Sequence, residues 1–246
     1  MAMHQPARRR RWLKWVLAGA VAILVLAVAV PYVYIHFIEG AAPAPLSLKS
    51  SPGAASSQPE TPSTAAGGSS AGSVAGTWRV GAGSVVGYRV KEVLLGQDNI
   101  AVGRSRSVAG HLTIAGTTLT QAAFTVAMAT IHSDQSQRDA QFDGRIMAVS
   151  TYPTGTFSLT RPISLAPLPA TGTVRTYSAT GVLALHGHSR PVTFTVSAKR
   201  TGQTVTISGS IPVTFADWSI PNPSFGSFVT TQNHGVLEFL LNFSKA

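Results

Sequence analysis

The sequence lacks cysteine and is poor in acidic residues, and both shortages limit what the protein can do. With no cysteine in 246 residues, the chain forms no disulfide, thiolate metal site or cysteine nucleophile, and it lacks the lipidated cysteine of a bacterial lipoprotein. Nine Asp and Glu stand against nineteen Lys and Arg, a net charge of +10. From Thr77 onward the positive excess is spread without runs, which favours solubility or weak attraction to anionic envelope polymers and indicates no nucleic-acid partner.

An apolar run follows a basic cluster near the N-terminus. Residues 1–15 contain consecutive arginines and Lys14, and Val16 to Ile38 carries no formal charge. The run is as long as a bilayer core requires, roughly 20 residues, and the basic cluster should stay in the cytoplasm. We therefore expect a cytoplasmic segment over 1–15 and a single-pass transmembrane signal-anchor over 16–38, which would hold the rest of the chain outside the cytoplasm at a bacterial cell membrane. A cleaved signal peptide is the competing interpretation, although its apolar core would be shorter, about 7 to 15 residues.

A segment rich in Pro, Ser, Gly and Ala separates this run from the rest of the chain. Residues 39–76 hold almost no large apolar side chain, so they cannot bury enough surface to order themselves. We expect a disordered linker that keeps the following domain, residues 77–246, away from the membrane or across an envelope layer.

Short alternating segments separated by turn residues fill the chain from Thr77 onward, which indicates antiparallel β structure. The candidate strands are 77–80, 85–91, 108–114, 122–131, 155–161, 177–185, 192–199, 204–215 and 236–243. A closed barrel is favoured because closure removes exposed edges. About eight strands would leave an interior that is either filled by side chains or able to hold one ligand. One short helical insertion is predicted over 136–149, capped by Ser133 or Asp134 and weakened by Gly144.

Two histidines occur in the segment LALHGHSRPV, between two candidate strands. Gly187 and Pro191 favour a simple connection between those strands. His186 and His188 are spaced as i, i+2 and could share a metal ion if the strand continued. Two histidines make at most half a site, so we expect turn residues and no metal.

Several motifs, in order along the chain, resemble the YceI-like family. They are Trp78 at the start of the domain, the triplet Gln137-Arg138-Asp139, the segment YPTGTF from Tyr152, the run GVLALHGHSRPV from Gly181, and Asp217-Trp218. The resemblance covers residues 77–243, and several motifs in the right order are more specific than any one of them. The sequence departs from the family at Ser219, where a glycine commonly follows the Asp-Trp pair.

The resemblance implies an extended lipocalin-like β-barrel whose interior holds a long apolar ligand, such as a polyisoprenoid, an isoprenoid quinone or a similar lipid. No cofactor is expected.

Strand alternation supplies the inward-facing candidates Phe124, Val126, Met128, Phe157, Leu159, Phe194, Leu237, Phe239 and Leu241. Burying ten methylene-sized groups contributes about 8 kcal/mol gross, enough for micromolar binding after the costs of association. The alternative is that these residues fill a dry core. Trp218 is a further candidate, which would either stack on the ligand or plug one end of the barrel.

Five polar residues are candidates for the rim of such a barrel. Arg138 and Asp139 lie in the predicted helical insertion. Arg138 could meet a phosphate or carbonyl headgroup, or the pair could brace the insertion by ion pairing and capping. His186, Arg190 and Asp217 lie in or beside loops, and a bend already explains the first two.

The sequence therefore predicts a membrane-tethered, extracytoplasmic binding protein that sequesters or transports a lipid, and not an enzyme. No paired acids flank a recognisable site, and no serine has a credible base at a known spacing. Two alternatives stay open: a packed barrel that docks on envelope polymers or a partner protein, and an envelope hydrolase. A homodimer is compatible with the sequence, which does not decide the oligomeric state.

Overall fold

The computed structural model describes residues 7–33, 42–48, 73–226 and 229–246. Helix α1 spans Ala7–Val33. Within the described residues, no helix combines the length and the apolar character needed to cross a membrane. The structure therefore does not support the predicted transmembrane helix, whose last residues, 34–38, lie outside the described part, as does most of the predicted linker.

A β-barrel begins after the linker. Its strands are, in chain order, β1 (Gly76–Val80), β2 (Val85–Leu94), β3 (Gln97–Ser105), β4 (Val108–Ala115), β5 (Thr118–Ala127), β6 (Thr154–Leu159), β7 (Ile163–Ser164), β8 (Val174–Leu185), β9 (His188–Thr201), β10 (Thr204–Thr214), β11 (Val229–Thr231) and β12 (His234–Lys245). Eight of them form a ring in the order β1-β4-β5-β6-β8-β9-β10-β12, and β12 pairs again with β1. The predicted all-β, closed antiparallel barrel is confirmed.

Strand β12 pairs with two strands on the same edge. Its last residues pair with β1, and its first half pairs with β2, so that Leu240 lies opposite Val85 and Val236 lies opposite Arg89. Strand β3 folds back on β2 along its whole length. The β2–β3 hairpin therefore extends the barrel wall beyond the ring of eight strands, and the helical insertion packs against this extension.

The helical insertion follows β5 and differs from the predicted continuous helix. An α-helix, α2, spans Ser136–Gln141 and passes into a π-helical turn at Phe142–Ile146. The N–H of Met147 donates to the carbonyl of Phe142 at 2.9 Å, which is the wider i to i−5 spacing of a π turn. Gly144, the residue that weakened the prediction, lies inside this turn.

The predicted helix cap is wrong. The N-cap residue is Gln135, and it makes no side-chain capping bond. The backbone N–H and the hydroxyl of Ser133 both donate to Asp139 Oδ1, at 2.8 and 2.7 Å. Asp139, in the first turn of the helix, accepts both bonds and holds the loop before the helix. A helix side chain therefore binds the loop, whereas the prediction had a loop side chain binding the helix N-terminus.

The sequence pattern also missed three strands and placed the starts of two others four residues late. Strand β5 begins at Thr118 rather than at residue 122. Strands β7 and β11 have only two and three residues, too few to show alternation. Strand β3 reads QDNIAVGRS, and its polar first residues interrupt the apolar pattern. Strand β9 begins at His188 rather than at residue 192, and Pro191 lies inside it, opposite Val182.

Candidate binding site in the barrel lumen

A cavity of about 250 Å³ lies inside the barrel, and we call it the lumen cavity. Its wall is almost entirely apolar. The structure places nine of the ten apolar candidates on this wall, and they are Phe124, Val126, Met128, Phe157, Leu159, Phe194, Leu237, Phe239 and Leu241. Side chains therefore do not completely fill the barrel.

Four phenylalanine rings form a belt across the lumen. The ring centroids of Phe157 and Phe194 are 5.3 Å apart, and those of Phe194 and Phe239 are 6.0 Å apart, both in edge-to-face geometry. Phe124 stacks on Phe157 at 6.4 Å. Aromatic pairs prefer these offset and T-shaped arrangements. The belt therefore gives the middle of the cavity a firm apolar wall.

Glycines on neighbouring strands make room for two of these rings. A Cβ added at Gly181 would lie 2.4 Å from Phe157 Cζ, and one added at Gly209 would lie 2.7 Å from Phe239 Cζ. Glycine within a strand often marks such a close approach. Because each ring lies against the wall at a glycine, the ring takes up less of the lumen than it would beside a larger residue.

A second cavity, of about 640 Å³, lies between strand β2 and the helical insertion, and we call it the side cavity. Polar side chains contribute to its wall, and they include Tyr88, Glu92, Gln135, Gln137, Arg138 and Gln141. The residues common to both cavities are Gly87, Met128, Ile131, Leu185 and Leu237. The two cavities therefore adjoin at these five residues.

Arg138 lies on the side-cavity wall between two carboxylates. Its Nη2 is 3.3 Å from Glu92 Oε1, and its Nη1 pairs with Asp134 Oδ1. Burial pulls the pKa of Arg138 down, but these two carboxylates outweigh burial and hold the pKa above the ordinary arginine value. Asn99 Nδ2 donates to Glu92 Oε1 at 2.9 Å, which fixes the carboxylate. The charge of Arg138 is thus already neutralised by protein groups.

Tyr88 contributes a buried hydroxyl to the same cavity. Its ring stacks on Phe142, and burial raises the pKa of the Tyr88 hydroxyl well above its ordinary value. Neither Tyr88 nor Glu92 was among the predicted site residues. Tyr88, Val90 and Glu92 alternate along β2, and this alternation could have indicated that Tyr88 lies on the same face as Val90. Nothing in the sequence indicates that the insertion folds back over this strand.

Two other candidates make structural contacts away from both cavities. Asp139 holds Ser133, and its Oδ2 lies 3.3 Å from His132 Nδ1. Trp218 is 3% exposed and packs in the hydrophobic core, with its Nε1 3.5 Å from the carbonyl of Leu183. Neither residue lines the lumen cavity or the side cavity.

The last three polar candidates meet at the turn between β8 and β9. His186 and Gly187 both have positive φ, +48° and +76°, as a two-residue hairpin turn requires. His186 Nδ1 lies 3.2 Å from the carbonyl of Trp218, and Arg190 Nε donates to the carbonyl of Asp217 at 2.7 Å. The three residues clamp this turn to the 3-10 helix Phe215–Trp218 and line neither cavity. Among the described residues, no group of three His, Asp or Glu is placed to hold a metal ion.

Two solved structures are similar to this chain, and the first supports the architecture described above. A polyisoprenoid binding domain from Saccharophagus degradans, implicated in plant cell wall breakdown, is 15% identical with a TM-score of 0.58, and the match covers 69% of this chain and 98% of that one. Burkholderia cenocepacia BcnA is 21% identical with a TM-score of 0.49, covering 63% and 95%. No curated protein matches the sequence. The YceI-like domain matches residues 78–243, and because this match spans most of the chain, the protein belongs to the YceI-like family.

Proposed function

We propose that the protein binds one long apolar lipid of the polyisoprenoid class, with the chain of the lipid in the lumen cavity and its head in the side cavity. The observation that carries this proposal is the junction of an apolar lumen with a cavity that has polar groups on its wall. Ligand sites of this kind combine a mostly apolar surface with a few polar groups that fix orientation. The Saccharophagus degradans relative, a polyisoprenoid binding domain, supports the same class of ligand. Binding without catalysis remains our expectation.

The charges around the side cavity favour an uncharged head over a phosphate. Arg138 already pairs with Glu92 and Asp134, so the cluster carries one positive and two negative charges. A phosphate placed beside Arg138 would meet both carboxylates at short range, where repulsion is weakly screened. A carbonyl or hydroxyl head avoids this repulsion and can bond to Tyr88 or to the glutamines on the wall.

Mass spectrometry of an organic extract tests the proposal. The full-length protein should be purified without detergent exchange from the envelope of a bacterium that makes isoprenoid quinones and prenyl phosphates. We expect one prenyl chain per protein, predominantly with an uncharged head. A protein that carries no lipid, and that also rejects added prenyl alcohol and quinone, would refute lipid binding. A stoichiometric prenyl phosphate would refute only the assignment of the head.

A membrane tether and an extracytoplasmic location remain a proposal that rests on the sequence alone, on the basic cluster in residues 1–15 and the apolar run after it. Alkaline carbonate extraction and N-terminal sequencing of the expressed protein test it. An uncleaved protein that resists extraction and is digested by protease from outside the cell is expected. A soluble protein that begins near residue 40 would show that the run is a signal peptide.

A further inference from the structure

Part of the predicted linker lies on the outside of the barrel. In the segment 42–48, Arg89 Nη2 donates to the carbonyl of Pro43, and Arg104 Nη2 donates to the carbonyl of Ala44 at 3.2 Å. The N–H of Leu46 donates to Glu238 Oε2 at 2.8 Å. We call residues 43–46 the strap. Three barrel side chains thus bond to backbone groups of the strap.

The three barrel residues that hold the strap, Arg89, Arg104 and Glu238, form a charge cluster on neighbouring strands. Glu238 on β12, Gly87 on β2 and Arg104 on β3 lie in one row across the wall. Because Gly87 has no side chain, Arg104 Nη1 can approach Glu238 Oε1 to 2.7 Å above it, as an ion pair without hydrogen-bond alignment. Arg89 Nε donates to the same oxygen at 3.1 Å. The Glu238 side chain is only 4% exposed, which is rare for an acidic residue and requires partners.

The cluster contacts carbonyl and N–H groups of the strap backbone, and the sequence of the strap favours this mode of binding. Two guanidinium groups donate to successive carbonyls, and one carboxylate accepts the next free N–H. Pro43 and Pro45 restrict the backbone and favour the extended form before it binds, which lowers the entropy lost on docking. Neither proline has an N–H that the extended strap would leave without a partner.

We propose that the outer wall of the barrel carries a binding site for an extended proline-containing peptide, and that the strap of the same chain occupies it. Residues 43–46, Arg89 and Arg104 line neither cavity, and Glu238 contributes to the wall of the lumen cavity. The proposal does not depend on the proposed lipid function. Docking shortens the connection between α1 and the barrel. From Val33 to Pro43 the chain can span at most about 35 Å, whereas from Val33 to Gly76 it could span about 150 Å. The linker then acts as a short tether.

Distance measurement by pulsed electron paramagnetic resonance on the full-length protein tests the proposal. Since the chain has no cysteine, the variant Ala44→Cys/Lys91→Cys carries spin labels at these two positions only. Ala44 is exposed on the strap, and Lys91 is exposed on β2, two residues from Arg89. One short, narrow distance is expected. A broad distribution in this otherwise unchanged protein would overturn the proposal.

Leu46→Pro removes the N–H that Glu238 accepts without altering the barrel, and it should broaden and lengthen the distance distribution. Ala42→Pro is the matched control, since Ala42 makes no described hydrogen bond, and it should leave the distance unchanged. Arg89→Gln/Arg104→Gln should release the strap as Leu46→Pro does. An unchanged distance in Leu46→Pro and in the arginine variant would show that these contacts do not hold the strap.

A mixture of proteins labelled singly at residue 44 and singly at residue 91 tests whether the strap binds its own chain. The mixture should give no short distance between labels, and a short distance would show that the strap binds a second copy instead.

Discussion

Tyr88 and Phe142 stack face to face, with ring centroids 5.2 Å apart and ring planes 14° from parallel. Tyr88 lies on barrel strand β2, and Phe142 is the first residue of the π turn in the helical insertion. The stack therefore fastens the insertion to the barrel and forms part of the side-cavity wall. Burial of Tyr88 at this junction raises the pKa of its hydroxyl above the ordinary value.

The stability of the protein should fall with rising pH above about pH 10 in a way that depends on Tyr88. Burial raises the pKa of Tyr88 above its ordinary value of 10.0, so the folded protein keeps a proton that the unfolded chain loses. The contribution of this proton to the free energy of unfolding is fully present below pH 10. Above pH 10 it falls by about 1.4 kcal/mol per pH unit for one proton. Urea unfolding of the wild type and of Tyr88→Phe between pH 9 and 11.5 measures the difference. Equal slopes in the two proteins would show that Tyr88 ionises freely in the fold.

Glu92 should discriminate against phosphate heads. Glu92→Gln removes one of the two carboxylates beside Arg138 and should strengthen the binding of a prenyl phosphate by roughly tenfold, which corresponds to about 1.4 kcal/mol. Binding of the corresponding prenyl alcohol should change little. Asp98→Asn removes the same charge at an exposed position of β3 and is the control. If Asp98→Asn strengthened phosphate binding as much as Glu92→Gln, the effect would come from net charge and not from the cluster.

Trp218 should contribute to stability and not to ligand binding, since it packs in the core and lines neither cavity. Trp218→Ala should lower the free energy of unfolding by about 3–5 kcal/mol, as large-to-small core substitutions do. At a temperature where the variant is still folded, it should retain one lipid per protein. Phe194→Ala, on the lumen wall, is the comparison and should lose affinity as well as stability. Loss of lipid from folded Trp218→Ala would mean that this ring contacts the ligand.

The period-2 alternation of β12 put Leu237, Phe239 and Leu241 on one face, and the structure places these three on the lumen wall. The opposite face is buried as well, at Glu238 and Leu240, so burial alone does not identify the inward face. The alternation within a strand does not predict contacts between segments that are distant in the sequence. Arg138 meets Glu92 only because the insertion folds back across β2, and the sequence holds no local sign of that path. Glu238 likewise reads as an ordinary outward-facing residue until the strap and two arginines surround it. For Trp218 the sequence left two roles open, stacking on the ligand or plugging one end of the barrel, because a large aromatic beside a loop suits either; the structure packs it in the core.

The most direct test of lipid binding in the lumen is a measurement of lipid stoichiometry after the lumen has been filled. Ala179 is buried on the lumen wall, and Ala179→Phe places an extra ring in a cavity of about 250 Å³. Ser178→Phe adds the same ring at the neighbouring exposed position on the outer face. Native mass spectrometry should show one prenyl lipid on the wild type and on Ser178→Phe, and little or none on folded Ala179→Phe. An undiminished lipid adduct on Ala179→Phe would contradict binding in the lumen.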